Sequence, residues 1–183
     1  MEVIQTPLQD CILLKPVVFN DTRGFFFESF NQNKFKELTG QLVNFVQDNQ
    51  SYSTYGVVRG LHFQRDEHAQ AKLVRVLKGK VLDVAVDLRP DSPTFGKHFS
   101  SVLSEDNKLQ LFIPRGFAHG FSVLSDHAEF FYKCDNYYNK ESEGTILFND
   151  PELNIDWGIP EADIHISDKD RGSGSFELYK RGL

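Results

Sequence analysis

The sequence is poor in sulfur-containing residues. Its 183 residues include two cysteines and one methionine. Cys11 and Cys134 lie far apart, and neither belongs to a Cys-x-x-Cys motif, which argues against a dithiol redox centre. Free cysteines are usually buried, so we interpret these two as buried thiols with no disulfide between them.

The chain also lacks a basic excess and a long apolar run. It has 20 Lys and Arg residues against 26 Asp and Glu residues, a net charge of -6. Contacts to phosphate backbones need clustered basic residues, so we expect no nucleic-acid partner. No apolar run approaches the roughly 18 residues of a membrane span, and the first residues do not resemble a signal peptide. We therefore expect no membrane association and a cytoplasmic location.

Several catalytic motifs are absent. The sequence has no G-x-G-x-x-G, no Walker loop and no serine nucleophile elbow, so nicotinamide and phosphoryl-transfer chemistry are not expected. A mononuclear metal site takes three or four protein ligands. The residue two positions after His62 is Gln64 rather than a second histidine, which leaves His62 and His119 as two nitrogen ligands. We predict no metal and no cofactor.

Phenylalanine, in contrast, is abundant, with 17 residues. Aromatic side chains favour strands and bury large areas, so a β-rich core is expected. No linker or repeat interrupts the chain, and we predict one domain over residues 1–183. The run Gly172-Ser173-Gly174-Ser175 predicts a flexible tail over about residues 172–183.

The hydrophobic pattern predicts many short strands and few helices. One helix is expected over 31–38, with Asn31 as its N-cap and Gly40 ending it. Lys72–Leu77 and Lys80–Leu88 predict the two arms of a hairpin, and alternation places Asp83 on the polar face of the second arm. The other predicted strands are 11–19, 25–30, 42–46, 97–103, 108–113, 120–124 and 129–136. Such a series predicts an antiparallel barrel or jelly roll.

Four segments carry residues suited to acid–base chemistry. His62 is either solvated or faces a barrel interior, where histidine is a natural proton-transfer group. The pattern Pro114-x-Gly116-x-x-His119 is a tight turn that either feeds a histidine into a barrel or leaves it exposed. Tyr132 is either a core tyrosine or a proton donor. Asp170, three residues after Ser167, either caps a short helix or acts in a site.

Taken together, these segments closely resemble the dTDP-4-dehydrorhamnose 3,5-epimerase family. The resemblance runs from about residue 3 to about residue 171. The matching motifs are Arg23-Gly24-Phe25-Phe26-x-Glu28, Gln47-Asp48-Asn49, Arg59-Gly60-Leu61-His62-Phe63-Gln64, Pro114-x-Gly116-Phe117-Ala118-His119-Gly120-Phe121 and Tyr132-Lys133. The resemblance implies a cupin jelly-roll barrel, a homodimer with shared active sites, and catalysis without a metal. The implied substrate is dTDP-4-dehydro-6-deoxy-D-glucose.

The resemblance also implies catalytic roles. Epimerisation beside a ketone needs a base, a group that stabilises the enolate, and an acid on the opposite face. His62 matches the base, and Asp170 matches the carboxylate that orients it, with Asp83 as the alternative carboxylate. Lys72 is suited to stabilise the oxyanion. Tyr132 matches the proton donor.

The implied binding residues fall into two groups. The first group, for the diphosphate and the adjoining sugar, is Arg23, Arg59, Lys169 and His119. The second group, for thymine or its ribose, is Glu28, Gln47, Asn49 and Glu143, with Asp48 in the same motif. The family's N-terminal segment crosses to the partner subunit, so strands within about residues 1–50 are expected to help form the dimer. Arg23 and Glu28 are then expected to complete the neighbouring site.

The sequence is compatible with alternative functions. Relatives on the same scaffold epimerise a single carbon or move the keto group between carbons 3 and 4. A non-catalytic sugar-nucleotide-binding cupin and a metal-dependent cupin enzyme are two further classes, because fold alone does not define function.

Overall fold

The computed structural model describes residues 1–182, which form strands, three α-helices and two 3₁₀ turns. The strands are β1 (Glu2–Gln5), β2 (Ile12–Lys15), β3 (Phe19–Asp21), β4 (Gly24–Phe26), β5 (Gln47–Thr54), β6 (Val58–Gln64), β7 (Lys72–Lys78), β8 (Lys80–Asp87), β9 (His98–Ser104), β10 (Gln110–Ile113), β11 (Phe117–Val123), β12 (His127–Cys134) and β13 (Glu143–Thr145). The helices are α1 (Gln32–Thr39), α2 (Asp168–Arg171) and α3 (Phe176–Arg181), and the 3₁₀ turns are Asp66–His68 and Glu161–Asp163.

The strands pack as two facing antiparallel sheets. The larger sheet has the order β1-β2-β10-β7-β12-β5, and the smaller has the order β13-β6-β11-β8-β9. Apolar side chains from the facing sides of both sheets form one buried core, which includes Val74, Val81, Ala85, Phe121 and Phe130. This architecture confirms the predicted mainly β class, an antiparallel jelly roll with a few short helices.

The outer faces of both sheets are also covered. Trp157 and Phe176, from the segment after β13, pack with Val84 of β8 on the outside of the smaller sheet. Phe35 of α1 covers the larger sheet, where its ring centroid lies 5.1 Å from that of Phe112. Strands β7 and β8 therefore bury apolar side chains on both faces, because each face meets a packed layer.

The predicted helix is confirmed together with its two end signals. The Asn31 side chain accepts a hydrogen bond from the Lys34 backbone amide at 3.2 Å, which satisfies a free amide of the first turn. Gly40 ends the helix in the left-handed region, with φ of 71°, where glycine carries no steric penalty.

The predicted hairpin of Lys72–Leu77 and Lys80–Leu88 is wrong, although both strands exist. Strand β7 lies in the larger sheet between β10 and β12, whereas β8 lies in the smaller sheet between β11 and β9. Gly79, with φ of 79°, forms the crossing between the sheets. A Cβ at Gly79 would lie 2.0 Å from the carbonyl oxygen of His127, so only glycine fits this crossing.

The N-terminal third departs most from the predicted strands. The expected strand 11–19 stops at Lys15, because Pro16 has no amide hydrogen to donate. Of the expected strand 25–30, only Phe25 and Phe26 are extended, as part of β4, which forms a two-stranded hairpin with β3. Residues 42–46 form no strand; Val43 instead packs as an irregular cover over the larger sheet. The polar sequence Gln47–Thr54, which was not predicted as a strand, is the edge strand β5.

The C-terminal tail, for which the sequence predicts flexibility, contains a folded helix. Phe176 of α3 is buried, and Ser175 caps the helix by accepting from the Leu178 amide. Within residues 1–182, no helix is both long and apolar enough to cross a membrane.

Candidate active site

Strand alternation brings several candidate side chains into the space between the two sheets. On β8, Val81 and Ala85 belong to the inner core, so Asp83 between them faces inward. Val74 and Tyr132, which are register partners on β7 and β12, also face the inner core. Lys72 lies two residues from Val74 and therefore shares that face. The barrel interior is thus where a polar site can form.

Two histidines meet across β6 and β11. His62 and His119 are register partners in the smaller sheet. The two strands approach closely just before this point, since a Cβ at Gly60, with φ of 126°, would lie 2.6 Å from the Cα of Gly120. Glycine at both positions therefore allows the close approach that places the two imidazoles in one interior.

His62 is paired with Asp170. The imidazole Nε2 lies 2.7 Å from Oδ1 of Asp170, and the carboxylate also accepts the Gly60 amide at 3.4 Å. Ser167 caps α2 by accepting from the Asp170 amide, which fixes the carboxylate in the first helical turn. Burial is the largest single effect on Asp170 and raises its pKa, but the hydrogen bond and charge of His62 together with the Gly60 and Ser167 hydrogen bonds outweigh it, and the net pKa is lowered. Of the two carboxylates considered from the sequence, Asp170 is the one that contacts His62.

Asp83 is paired with the second histidine instead. Its Oδ2 lies 2.9 Å from Nε2 of His119, and both side chains are buried. The His119 ring stacks on Phe130, with centroids 5.9 Å apart. Burial lowers the pKa of His119, and the nearby Asp83 carboxylate opposes that effect.

Lys72 and Tyr132 adjoin each other on β7 and β12. The Lys72 ammonium lies 5.8 Å from the centroid of the Tyr132 ring, within the range of a cation–π contact. Burial lowers the pKa of Lys72, whereas Cys134, Asp83 and Glu143 act in the opposite direction. Burial raises the pKa of Tyr132, so its hydroxyl keeps its proton at neutral pH.

Polar side chains rim the opening beside His62. A cavity of about 420 Å³ is lined by Arg59, His62, Lys169 and Asp170. At this rim Lys169 donates to Glu143 at 2.6 Å. The ion pair holds the pKa of Glu143 below its usual value, although burial alone would raise it.

Tyr138 links the rim to strand β5. Its hydroxyl donates to Glu143 at 3.0 Å, and its backbone amide donates to the Gln47 side chain at 3.0 Å. Asn49, two residues along β5, donates to the Cys134 sulfur at 3.7 Å. Gln47, Asn49 and Glu143 therefore lie within one connected polar surface.

Three predicted binding residues lie apart from this connected polar surface. Asp48 is on the opposite face of β5 from Gln47 and Asn49, and it pairs with Lys133 at 2.9 Å. Arg23 pairs with Asp21 on the exposed β3–β4 hairpin. Glu28 pairs with Lys34 of α1 at 2.9 Å. Because alternation reverses the side-chain direction at each residue, Asp48 does not face the same side as its two neighbours in the motif.

Two residues of the site were not singled out from the sequence. Cys134 faces the interior, because it shares a strand face with Phe130 and Tyr132; that alternation was a usable signal. Ser53 accepts a hydrogen bond from Arg59 Nε at 3.0 Å, and nothing in its local sequence indicates this role. Over residues 1–182, no group of three or more His, Cys, Asp or Glu side chains is arranged to hold a metal ion.

The fold and these side chains define a cupin-type isomerase, with histidine, lysine and tyrosine groups facing one barrel interior. Residues 5–177 match the family model described as dTDP-4-dehydrorhamnose 3,5-epimerase. The chain belongs to this family of epimerases.

Individual relatives are similar over nearly the whole chain. The dTDP-4-dehydrorhamnose 3,5-epimerase of Salmonella typhimurium is 59% identical over 157 residues, 86% of each chain. The crystal structure of the corresponding enzyme from Elizabethkingia anophelis superposes with a TM-score of 0.94 at 59% identity, over 97% of each chain. A Legionella pneumophila 3,5-epimerase, solved in complex with dTDP-4-keto-L-rhamnose, has a TM-score of 0.93 at 48% identity, covering 97% of this chain and 93% of that one.

Proposed function

We propose that this epimerase converts dTDP-4-dehydro-6-deoxy-D-glucose into dTDP-4-dehydro-L-rhamnose by inverting carbons 3 and 5. The ketone at carbon 4 acidifies the protons on both neighbouring carbons. Each inversion removes a proton from one face of the sugar and returns a proton to the other face. The complex of the Legionella relative with dTDP-4-keto-L-rhamnose supports this substrate class.

The observation that carries the proposal is the pairing of His62 with Asp170 beside an interior that also holds Lys72 and Tyr132. His62 is the base that removes both protons. The Asp170 carboxylate, 2.7 Å from Nε2, orients the imidazole and stabilises it once it is protonated. A buried, anchored carboxylate suits this role because it costs little reorganisation when the charge forms.

Lys72 and Tyr132 complete the chemistry. When a proton leaves carbon 3 or 5, negative charge develops on the carbonyl oxygen at carbon 4. The Lys72 ammonium stabilises that oxyanion, an effect typically of about 3–4 kcal/mol for one preorganised donor. Tyr132 returns a proton from the opposite face, and its raised pKa keeps it in the donor form.

The nucleotide and the diphosphate occupy the rim. Arg59 and Lys169 are cations beside His62 and suit the diphosphate. His119, predicted for the adjoining sugar, is buried against Phe130 and paired with Asp83, so we assign it no substrate contact. Gln47, Asn49 and Glu143 suit the thymine and its ribose because they supply amide and carboxylate groups along one connected surface. Asp48 is turned away from Gln47 and Asn49 on β5 and is paired with Lys133, so we assign it no contact with the nucleotide at this rim.

A homodimer accounts for the position of Arg23 and Glu28. Both lie in the β3–β4 region, away from the cavity of their own chain, and Phe19, Phe25 and Phe26 of the hairpin are exposed. Exposed aromatic clusters of this kind mark protein interfaces. We therefore propose that the hairpin crosses to a partner subunit and that Arg23 and Glu28 complete its site. The charged substrate does not cross membranes unaided, which supports a cytoplasmic reaction.

The test is an exchange experiment in heavy water. Purified protein, treated with a chelator, is mixed with dTDP-4-dehydro-6-deoxyglucose, and the sugar protons are followed by NMR. Deuterium entering both carbon 3 and carbon 5, with a reductase then yielding dTDP-L-rhamnose, is the expected result. Deuterium at one carbon alone would indicate a single-position epimerase, and no exchange would contradict the proposal.

A further inference from the structure

Asp83 is a buried carboxylate to which the mechanism above gives no role. Its side chain is 0% exposed. One oxygen is held by His119, but the other, Oδ1, is buried without a hydrogen-bond partner among residues 1–182. Burying a carboxylate with an unpaired oxygen is costly unless a cation compensates the charge. Asp83 therefore requires a positive group nearby.

His119 supplies a hydrogen bond to Asp83 rather than a charge. The ring is buried between Asp83 and Phe130. Burial lowers the pKa of His119; Asp83 opposes this, while Lys72 and His62 lower it further. At neutral pH the imidazole is then uncharged, and it donates one N–H to the carboxylate.

Lys72 and Asp83 both face the barrel interior, from β7 and β8 of the two facing sheets, and Asp83 acts to raise the pKa of Lys72. Within residues 1–182 the Lys72 ammonium has no ion-pair partner, and it lies over the Tyr132 ring. The other carboxylate facing it, Glu143 of β13, is already paired with Lys169 at 2.6 Å. Of the two carboxylates, Asp83 is thus the one that, within the described part of the chain, is not already in an ion pair with a lysine or arginine, and the Lys72 ammonium is the cation available to it.

The remaining titratable groups around Lys72 do not replace Asp83. They are Tyr132 and Cys134 on β12 and His119 on β11. Burial raises the pKa of the Cys134 thiol to about 11 and also raises that of Tyr132, so both are neutral near pH 7. With His119 neutral as well, none of them carries a negative charge that would hold a buried lysine in its protonated form.

We propose that Asp83 is the counter-ion that keeps Lys72 protonated, and that His119 holds this carboxylate in place as a neutral donor. Asp83 is a positioning residue, since it acts through Lys72 and not on the sugar. The inference rests on the proposed function, because the charge of Lys72 matters when an oxyanion forms beside it. Without Asp83, burial would favour the neutral amine, which stabilises an oxyanion less well.

The test is a titration of Lys72 by NMR on protein carrying ¹³C-labelled lysine, with its signal assigned by loss in Lys72→Ala. In Asp83→Asn, which keeps the side-chain shape, we expect the Lys72 midpoint to fall by about one pH unit or more. The alkaline limb of kcat should move in the same direction, with KM little changed. Asp87→Asn is the matched control, because Asp87 lies on the same face of β8 but is paired with Arg89 at 2.8 Å. That control should leave the Lys72 midpoint in place.

Two results would overturn the inference. One is an unchanged Lys72 midpoint in Asp83→Asn. The other, measured on the unmodified protein, is a His119 ring that is a cation at pH 7, because His119 would then be the charge partner of Asp83. This second measurement does not use the variant, so it tests the inference even if Asp83→Asn does not fold. The titrations are independent of turnover, so failure of the exchange reaction itself would count against the proposed function alone.

Discussion

Two histidine–aspartate pairs lie in this barrel with nearly the same contact distance. His62 and Asp170 are 2.7 Å apart, and His119 and Asp83 are 2.9 Å apart. The two pairs differ in solvent exposure, because the His62 side chain is 33% exposed and the His119 side chain is 7% exposed. His62 lines the cavity, whereas His119 stacks against Phe130.

Because both pairs consist of a histidine and an aspartate, their surroundings and not their residue types set their different roles. A histidine at a cavity can exchange protons with a bound sugar, and its carboxylate stabilises the cation that results. A histidine sealed in the core avoids becoming charged, since burial disfavours the cation. In the proposed mechanism, the same two residue types then serve as a base in one pair and as a fixed hydrogen-bond donor in the other.

The largest effect is expected from removing the exposed histidine. His62→Ala should lower kcat by about 10²- to 10⁴-fold, the usual contribution of a general base. Deuterium exchange should be lost at both carbon 3 and carbon 5, because one base serves both. His119→Ala is the matched change in the other pair and should retain exchange at both carbons, although more slowly, because His119 acts only through Asp83 and Lys72. Near-normal exchange in His62→Ala would show that the base is another residue.

The second-largest effect is expected from changing Asp170, the carboxylate of the exposed pair. Asp170→Asn should lower kcat on the order of 10²-fold, because the imidazole loses its orienting and charge-stabilising partner. Steady-state kinetics of the variant measure this directly. Asp168→Asn, an exposed acid in the same short helix, is the control and should leave kcat unchanged. Equal losses in the two variants would indicate damage to α2 rather than to the pair.

Tyr132→Phe is expected to separate the two halves of the reaction. Exchange should continue, because His62 still removes the proton, while product formation should fall by about 10- to 100-fold without the opposite-face donor. The measurement compares deuterium incorporation with the yield of the inverted sugar. The exposed Tyr137, changed to Phe, is the control. If exchange and inversion fell together, Tyr132 would be needed for proton removal as well.

The smallest expected effect is on stability as a function of pH. Burial lowers the pKa of His119, so the unfolded chain binds more protons than the folded chain as pH falls through the ordinary histidine range. Folding should therefore lose stability below about pH 6.5. The pKa of Asp170 is lowered, so its contribution is lost only below about pH 4. Melting temperatures at pH 7.5 and 5.5 should differ less in His119→Gln than in the unmodified protein. If the melting temperature of the variant fell between pH 7.5 and 5.5 as much as that of the unmodified protein, the loss of stability would come from other groups.

Much of the site follows from local sequence. Alternation predicts that Asp83 and Ala85 share a face, and likewise Phe130, Tyr132 and Cys134, because strand geometry turns each side chain opposite to the last. Helix α1 follows from Asn31 and Gly40, whose end signals act within one turn. The family motifs add the resemblance from which His62 and Asp170 were paired.

Other features depended on which strands meet in space. Local pattern predicted both β7 and β8 but joined them as a hairpin, whereas they lie in different sheets. The polar β5 is a strand because β12 pairs with it, and its own residues have little preference for that conformation.

The sequence by itself determined the β class, the faces of the inner strands and the residue types available for proton transfer. The resemblance favoured Asp170 for His62 with Asp83 as the alternative, and only the tertiary structure decided between them and paired Asp83 with His119. Asp170 lies 108 positions from His62, and Asp83 lies 36 positions from His119. A local pattern fixes which side of its own strand a residue occupies, but contact across the barrel depends on sheet order and on where the chain crosses between sheets.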